Sequence, residues 1–430
     1  MPPTFSTNSP RLSIHFAGGP KQIFHPGGTI VGHLSRSAFL QRGIVNLTVR
    51  LYGRSKSRIV RHHGGANGSK RTTYRARCYF FNDGTQQLAQ LVYNGPVDIP
   101  ASLDTSESWP FALTIPEFVH MRSDGDLADF NLLANPPQGI ASHRLPDTFM
   151  SPGGHSGEGY VEYYLEATLR MTGESDIVVT HPVIVRSPVP HAISDFAVKR
   201  WSNRASISTY NLQPNIQELT KTQKWHKFVH SSKVPRCTTD ISVAVPTVVQ
   251  LGHKTPLPVQ LRAILNEAGT SDAIKEYSHV MTLKSVDLDI IAASTVVAAG
   301  TFSRKQDDYA ETFQTCLGRI NLGQLEQPIT IPIGSDRTTI DIGALLQLQL
   351  MPDGLYSAGK KLTPVRMSFL QPDFTTFNIS LSHIFAWNFV FEVAGEVFSK
   401  KFSFRTMIVA PALHEEEQLP RYEAPPYEAK

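Results

Sequence analysis

Few groups of residues in this sequence have the types and spacing that catalysis or metal binding requires. The loop Gly153–Gly159 comes nearest to the Gly-x-Ser-x-Gly turn of hydrolases, but Glu158 stands where the second glycine is needed. Asp287 and Asp289 share one face of a predicted strand, which we interpret as a solvated face. The histidines have no ligand spacing, and the cysteines are few and far apart. The sequence therefore predicts no catalytic residue, no metal site and no cofactor.

A short motif near the C-terminus has the features of a docking peptide. Leu419-Pro420-Arg421-Tyr422 fits the pattern Leu/Pro-Pro-x-Tyr, in which the proline packs on aromatic groove residues and the tyrosine fills a second pocket. Such recognition needs only an extended, accessible peptide, and the acidic, proline-rich segment 413–430 is predicted to be disordered. The alternative interpretation is an ordinary polar tail. Ala424–Tyr427 does not fit the pattern, because no residue separates its second proline from its tyrosine.

Positive charge is concentrated at the start of the chain. Residues 1–82 contain thirteen lysines and arginines and no aspartate or glutamate, whereas the net charge of the whole chain is only +4. The densest part runs from Arg50 to Arg77. This asymmetry predicts a basic surface for an acidic partner, and a solvated hairpin with its tip at His62–Gly65 is the alternative. Nucleic acid is not expected as a partner, because the stretch has no recognition helix, zinc site or RNP-like motif.

A spacing of two between apolar residues dominates the sequence and predicts β-strands. The clearest alternating runs are Leu47–Leu51, Val161–Leu169, Ile241–Val245, Val259–Ala263, Val286–Ile290 and Phe385–Val393. Helical periodicity is nearly absent, with weak candidates at Asp124–Leu133 and Asn215–Phe228. The pattern predicts an all-β fold of two immunoglobulin-like antiparallel β-sandwiches in tandem, and it argues against a parallel α/β fold.

Changes in this pattern predict the domain organisation. The strand pattern falters between Ser187 and Pro235, where Ser, Asn, Gln and Lys are frequent, and it resumes at Thr239. Each predicted sandwich has a size that is usual for one β domain. The predicted segments are a flexible N-terminus at 1–10, a first sandwich at 11–190, a connector at 191–234, a second sandwich at 235–412 and a disordered tail at 413–430.

The same features lead us to expect a cytosolic protein. Residues 1–10 are polar and lack the apolar core of a signal peptide. The longest weakly polar run, Ile290–Gly300, is too short to span a bilayer as a helix. Three cysteines, an odd number, imply no disulfide framework.

Five stretches of the first half form a recognisable series. They are Phe24–Leu34, which contains His-Pro-Gly-Gly, then Ile44–Lys56, Trp109–Pro116, Leu145–Phe149 and Gly159–Leu169. In type and order they resemble strands of the arrestin-domain proteins, specifically the fungal α-arrestins. The second half is similar in architecture and weaker in motif. Its best-matching parts are Val245-Pro246 and Leu251–Ala263.

The resemblance implies an arrestin-like fold and an adaptor function without enzymatic activity. Members of this family link membrane cargo, typically nutrient transporters, to HECT-type ubiquitin ligases that carry WW domains, and ubiquitylation sends the cargo into endocytosis. On this pattern Leu419, Pro420 and Tyr422 would bind the WW domain. The protein would be cytoplasmic and peripheral at the plasma membrane or endosomes.

The resemblance also implies a cargo-binding surface on the first sandwich. Its basic residues would contact acidic or phosphorylated cytosolic tails of membrane proteins, or an anionic membrane surface. The candidate contacts are Arg54, Lys56 and Arg58. No family motif fixes these positions.

Two alternatives remain open at this point. The tail has only one fitting motif, in the Leu-Pro form, so multivalent binding to the ligase would be lost. The chain could instead be an endosomal trafficking or scaffold protein of the arrestin fold that binds no ligase. A β-sandwich hydrolase or sugar-binding protein is a less favoured alternative, since no carboxylate pair or aromatic platform supports it.

Overall fold

The computed structural model describes residues 3–19, 21–65, 68–81, 88–100, 106–120, 142–151, 156–214, 223, 234–300, 303–322, 327–334, 338–364 and 370–413. Most of these residues lie in β-strands, and the helical segments among them are single turns. The prediction of an all-β class is therefore confirmed. Both weak helix candidates lie largely outside the described residues.

The first half of the chain is organised around one long central strand. Its strands are β1 (Ser13–Phe16), β2 (Ile23–Phe24), β3 (Thr29–Arg36), β4 (Leu40–Gly65), β5 (Gly68–Tyr79), β6 (Ala89–Ile99), β7 (Glu107–Thr114), β8 (Phe118–His120), β9 (Ser142–Arg144), β10 (Phe149–Met150), β11 (Gly157–Met171) and β12 (Ile177–Val185). On one side β4 pairs with β11, which continues to β12. On its other side β4 pairs first with β6 and then with β5. A separate three-stranded sheet has the order β1-β3-β7.

The second half of the chain is also built mainly from strands. Its strands are β13 (Val198–Ser208), β14 (Arg236–Pro246), β15 (Val248–Gln250), β16 (Gln260–Leu265), β17 (His279–Gly300), β18 (Ser303–Asn321), β19 (Ile329–Gly334), β20 (Ile340–Asp341), β21 (Leu348–Met351), β22 (Gly354–Ser357), β23 (Lys360–Pro364), β24 (Phe374–Thr375), β25 (Ile379–Val393), β26 (Glu396–Arg405) and β27 (Met407–Val409). Single turns of helix occur at Tyr210–Leu212, Glu267–Gly269, Asp272–Lys275 and Ile342–Leu345.

Two hydrophobic cores lie within these strands. The first draws its buried side chains from residues 12–185 and from six positions of the second half: Ala292, Val296, Ala298, Phe377, Ile379 and Leu381. The second draws its side chains from residues 205–408. Strands β17 and β25 therefore contribute to both cores, one end in each. Strict alternation along β25 buries every second side chain, as its sequence predicts.

Buried polar contacts also join the two halves. On β4, Ser55 Oγ donates to Asn378 Oδ1 at 2.5 Å, and Asn378 Nδ2 donates to Ser57 Oγ at 2.9 Å. Asn378 is completely buried. A third contact between the halves lies directly after β12, where Arg186 Nη1 donates to Gln371 Oε1 at 2.9 Å. Paired polar groups in a dry interior fix one arrangement, because any other would leave a donor or acceptor unsatisfied.

The predicted connector at 191–234 contains a strand that the sequence pattern missed. Residues Val198–Ser208 form β13, which pairs antiparallel with β14 along its whole length. The side chains of β13 are exposed on both faces over most of its length. Apolar and polar residues therefore do not alternate in it, and the periodicity that reveals half-buried strands is absent.

Candidate functional site

The basic run of the sequence forms one face of the sheet that contains β5, β4 and β11. Every second residue of a strand points to the same side as its neighbours on adjacent strands. The register places Arg54 opposite Glu162 and Arg58 opposite Glu158, and on the other side of β4 it places Arg75 opposite Arg58. We call this surface the cationic face, which comprises Arg54, Lys56, Arg58, Arg71, Arg75, Arg77, Glu158 and Glu162.

Arg54 and Lys56 are buried within the cationic face and share one carboxylate. Arg54 Nε lies 2.7 Å from Glu162 Oε1, and Lys56 Nζ lies 2.6 Å from the same oxygen. The two cations are only 9% and 4% exposed. These two residues do not form an open surface in the structure, because Glu162 of β11 lies directly against them. An anionic partner would have to displace Glu162 to reach them.

Thr4 of the N-terminal segment makes hydrogen bonds to both Glu162 and Arg54 of the same cluster. The backbone N–H of Thr4 donates to Glu162 Oε2 at 2.8 Å, and Arg54 Nη2 donates to Thr4 Oγ1 at 3.1 Å. Thr7 N–H then donates to the carbonyl of Thr180 on β12, and Thr180 N–H donates back to Thr7 Oγ1. Thr4 and Thr7, which fall in the segment predicted to be a flexible N-terminus, are therefore held to the sheet by hydrogen bonds.

Hydrogen bonds between the charged groups of this cluster oppose the effect of burial on their pKa values. Burial alone would raise the pKa of the Glu162 carboxyl, but hydrogen bonds from Lys56, the Thr4 backbone and Arg54 outweigh it and hold that pKa below its usual value. Burial also lowers the pKa of Lys56, and the hydrogen bond to Glu162 opposes this effect. Glu162 therefore keeps its negative charge at neutral pH, in contact with two buried cations.

Arg58, the third predicted contact, is also ion-paired. Its Nη2 donates to Glu158 Oε1, and both side chains are about a quarter exposed. Three residues further along β4, Arg61 makes a bidentate contact with Asp307 on β18, at 2.6 and 2.9 Å. Strands β4 and β5 form a hairpin at this position, but His62–Gly65 pair with Gly68–Arg71 as strand residues and do not form its tip. Most of the β4 side chains between Gly53 and Arg61 are buried, so this strand of the hairpin is not solvated.

The exposed cations of this face lie instead on β5. Arg71, Arg75 and Arg77 are exposed, and their spacing places all three on the side that carries Arg54 and Lys56. Both carboxylates of the face already pair with cations of β4. Strand β5 therefore exposes three arginines of the cationic face, and none of them is among the contacts Arg54, Lys56 and Arg58 that the sequence suggested.

The predicted WW-binding residues Leu419, Pro420 and Tyr422 lie outside the described residues. The described chain reaches Leu413, whose N–H donates to the carbonyl of Val189 at 3.0 Å. Assignment of the tail motif therefore still depends on its sequence.

Two arrangements resemble parts of a hydrolytic site. His383 Nδ1 lies 2.7 Å from Asp373 Oδ1, but His383 is completely buried. A cleft of about 210 Å³ is lined by both His25 and Ser187. His25 Nδ1 contacts the carbonyl oxygen of Arg186, and Ser187 Oγ donates to the carbonyl of Leu145. Neither arrangement places an accessible nucleophile against a base.

Within the described part of the chain, no group of three or more His, Cys, Asp or Glu is placed to hold a metal ion. In the same residues, no helix is long and apolar enough to cross a membrane.

Comparison of the sequence with protein-family models and with curated proteins finds no match. The arrestin-domain resemblance therefore depends on the motifs of the sequence itself.

Proposed function

We propose that this chain is an arrestin-like adaptor that links plasma-membrane cargo to a WW-domain HECT ubiquitin ligase, so that the cargo is ubiquitylated and endocytosed. On this proposal the two hydrophobic cores correspond to two immunoglobulin-like sandwiches in tandem. The chain transfers no ubiquitin itself and acts in the cytoplasm, at the plasma membrane or endosomes. Support comes from the ordered series of arrestin-like motifs, the all-β fold and the exposed positive charge of β5.

The cationic face is the observation that best supports the proposal that this chain binds membrane cargo. Arg71, Arg75 and Arg77 are exposed on one strand, while the two carboxylates of the face are held by β4 cations. Guanidinium groups bind carboxylates and phosphates in a planar, bidentate manner, so an acidic or phosphorylated cytosolic tail is a complementary partner. We therefore propose these three arginines as cargo contacts in place of Arg54 and Lys56.

The proposal that the chain binds a ubiquitin ligase depends on the tail motif. Leu419, Pro420 and Tyr422 have the residue types that an aromatic WW groove recognises in a polyproline II conformation. A single site gives no gain from multivalency, so binding to the ligase is expected to be modest. A trafficking scaffold of the same fold would bind cargo equally well but would not need this motif.

Charge reversal on β5 tests the proposal that this chain binds membrane cargo. We expect the variant Arg71→Glu/Arg75→Glu/Arg77→Glu to lose at least about tenfold in affinity for acidic and phosphorylated peptides taken from cytosolic tails of membrane transporters. The measurement is a peptide array followed by titration in solution, at low and at physiological salt.

The matched control reverses three exposed cations that already have acidic partners. These are Lys275, Arg319 and Lys361, which pair with Asp272, Asp287 and Asp353. The control variant should bind the peptides as the natural chain does. Equal loss in both variants would show that only net charge matters, and the assignment of β5 would then be wrong.

A further inference from the structure

Two strand edges of the second core lie side by side without backbone pairing. Among the described residues, β13 pairs only with β14, and β26 pairs only with β25. Trp201 nevertheless stacks on Phe404 with ring centroids 3.8 Å apart, and Lys400 Nζ donates to the carbonyl of Arg204 at 2.6 Å. As the chain advances along β13, its contacts step backwards along β26, so the two edges run antiparallel. We call this pair of edges the β13–β26 seam.

The seam continues to the start of β27. Met407 N–H donates to the carbonyl of Thr247 at 2.9 Å, and Thr247 N–H donates to the carbonyl of Ala197 at 2.8 Å. Val198 and Met407 therefore lie close together on either side of Thr247. This order extends the antiparallel alignment set by Trp201 and Phe404 to the end of the seam.

The two strands of the seam are strongly basic. They carry six lysines and arginines and a single carboxylate, Glu396. The cations are Lys199, Arg200, Arg204, Lys400, Lys401 and Arg405. Arg204 pairs with Asp240 at 2.9 Å, so that cation is already compensated. A clear excess of positive charge remains along the seam.

Exposed apolar side chains stand at both ends of this basic stretch. Val198 is 44% and Met407 is 52% exposed at one end, and Val397 is 62% exposed at the other. Charged side chains on open edges are a common protection against aggregation, and that role would explain the cations alone. It does not explain large apolar groups left in solvent beside them.

The directions in which the cationic side chains point indicate what kind of surface could contact them together. Strands β13 and β26 are the two edges of one continuous sheet, which runs from β13 through β14, β16, β19, β17 and β25 to β26. Trp201 and Phe404 stack on each other across the seam. By strand alternation, Arg200 and Arg405 therefore point away from this stack, one on each side of the seam. A flat surface that meets this edge of the molecule would contact cations on both sides of the seam. Strands of ten and eleven residues make this edge roughly 30 Å long.

We propose that the β13–β26 seam docks this chain onto an anionic bilayer surface. The cations contact acidic headgroups, and Val198, Val397 and Met407 enter the interfacial layer. Lysine and arginine near an anionic leaflet each contribute to binding and are effective only within a Debye length. This surface differs from the cationic face of β4 and β5, and the proposal does not depend on the adaptor function.

The experiment is vesicle co-sedimentation of the full chain, with phosphatidylcholine vesicles that contain either no phosphatidylserine or about one third of it. We expect binding to the anionic vesicles only. The variant Arg200→Gln/Lys401→Gln/Arg405→Gln should bind roughly a hundredfold more weakly. The variant Val397→Ser/Met407→Ser should weaken binding at low and at high salt, because it removes contacts that salt does not screen.

The matched comparison is Arg71→Gln/Arg75→Gln/Arg77→Gln on the cationic face, which should retain vesicle binding. Circular dichroism of each variant checks that the fold is kept. Equal binding to neutral vesicles, or loss of binding in the β5 variant with the seam variant unaffected, would overturn the proposal. A seam variant that changes the oligomeric state but not vesicle binding would assign the seam to a second copy of the chain and would likewise overturn it.

Discussion

Replacement of Glu162 by glutamine is expected to lower the free energy of unfolding by about 3 kcal/mol. Glu162 Oε1 contacts both Arg54 and Lys56, and both cations are buried. Glutamine has nearly the same shape but removes the negative charge that both buried cations contact. Removal of one partner from a buried ion pair is strongly destabilising for this reason. Urea unfolding followed by far-UV circular dichroism measures the change.

The effect should depend on pH with a definite sign. The pKa of Glu162 is lowered in the folded chain, so the carboxylate stabilises the fold fully above its unfolded value of 4.5. This stabilisation is lost as pH falls through the folded pKa. The difference between the natural chain and Glu162→Gln should therefore be constant near neutral pH and shrink in acid.

A nearby glutamate serves as the control. Glu166 lies on the same strand and face as Glu162, but it is less buried and contacts only the Tyr52 hydroxyl, at 3.4 Å, among the described hydrogen bonds. Glu166→Gln should change stability by less than about 0.5 kcal/mol. Equal, small effects at both positions would show that the buried cluster contributes little to stability.

Replacement of Trp387 by alanine is expected to destabilise the fold by about 4 kcal/mol. Trp387 is 1% exposed in the second core and stacks on Phe389 at 5.9 Å. Truncation removes a large buried surface and leaves a cavity that rigid strands can fill only in part. The indole Nε1 has no described hydrogen-bond partner. Trp387→Phe should therefore cost much less than Trp387→Ala, since no hydrogen bond is lost.

Trp201 provides a matched tryptophan at the edge of the same core. It is half-buried and stacks on Phe404. Trp201→Ala should lower the free energy of unfolding by about 1–2 kcal/mol, at most half the effect at Trp387. Urea titration of the three variants gives the order directly. If Trp201→Ala were as damaging as Trp387→Ala, the buried position of Trp387 could not be the cause.

The strands could be predicted wherever one face is buried and the other is wet. Phe385–Val393 alternates without a break, and the structure buries every second residue of β25. The same pattern predicted the central parts of β4, β11 and β17. It failed for β13, because this edge strand exposes both faces and its side chains carry no period of two.

The burial of Arg54 and Lys56 depends on a strand far away in the sequence. Their partner Glu162 lies on β11, so no local pattern around residue 54 could reveal it. A usable signal was present in the spacing. Arg50, Arg54 and Arg58 recur every four residues, as do Glu158, Glu162 and Glu166, and the antiparallel register places each arginine opposite a glutamate. Such matched spacing favours pairing of the two strands.

The cargo surface could be predicted as a region but not as residues. Composition placed the positive charge before residue 82, and the structure adds which cations point to solvent. The cations of β4 lie next to the glutamates of β11, whereas the arginines of β5 lie on the other side of β4 and are exposed. The sequence alone cannot distinguish these cases.

The most direct test of the adaptor proposal is calorimetric titration of the full chain with a panel of WW domains from HECT-type ligases. Tyr422→Ala is the test variant, and Tyr427→Ala is the control because its Pro-Pro-Tyr lacks the required spacing. We predict micromolar binding to at least one WW domain, abolished by Tyr422→Ala and unchanged by Tyr427→Ala. If no WW domain binds, or if Tyr422→Ala binds normally, the chain is not a ligase adaptor through this motif.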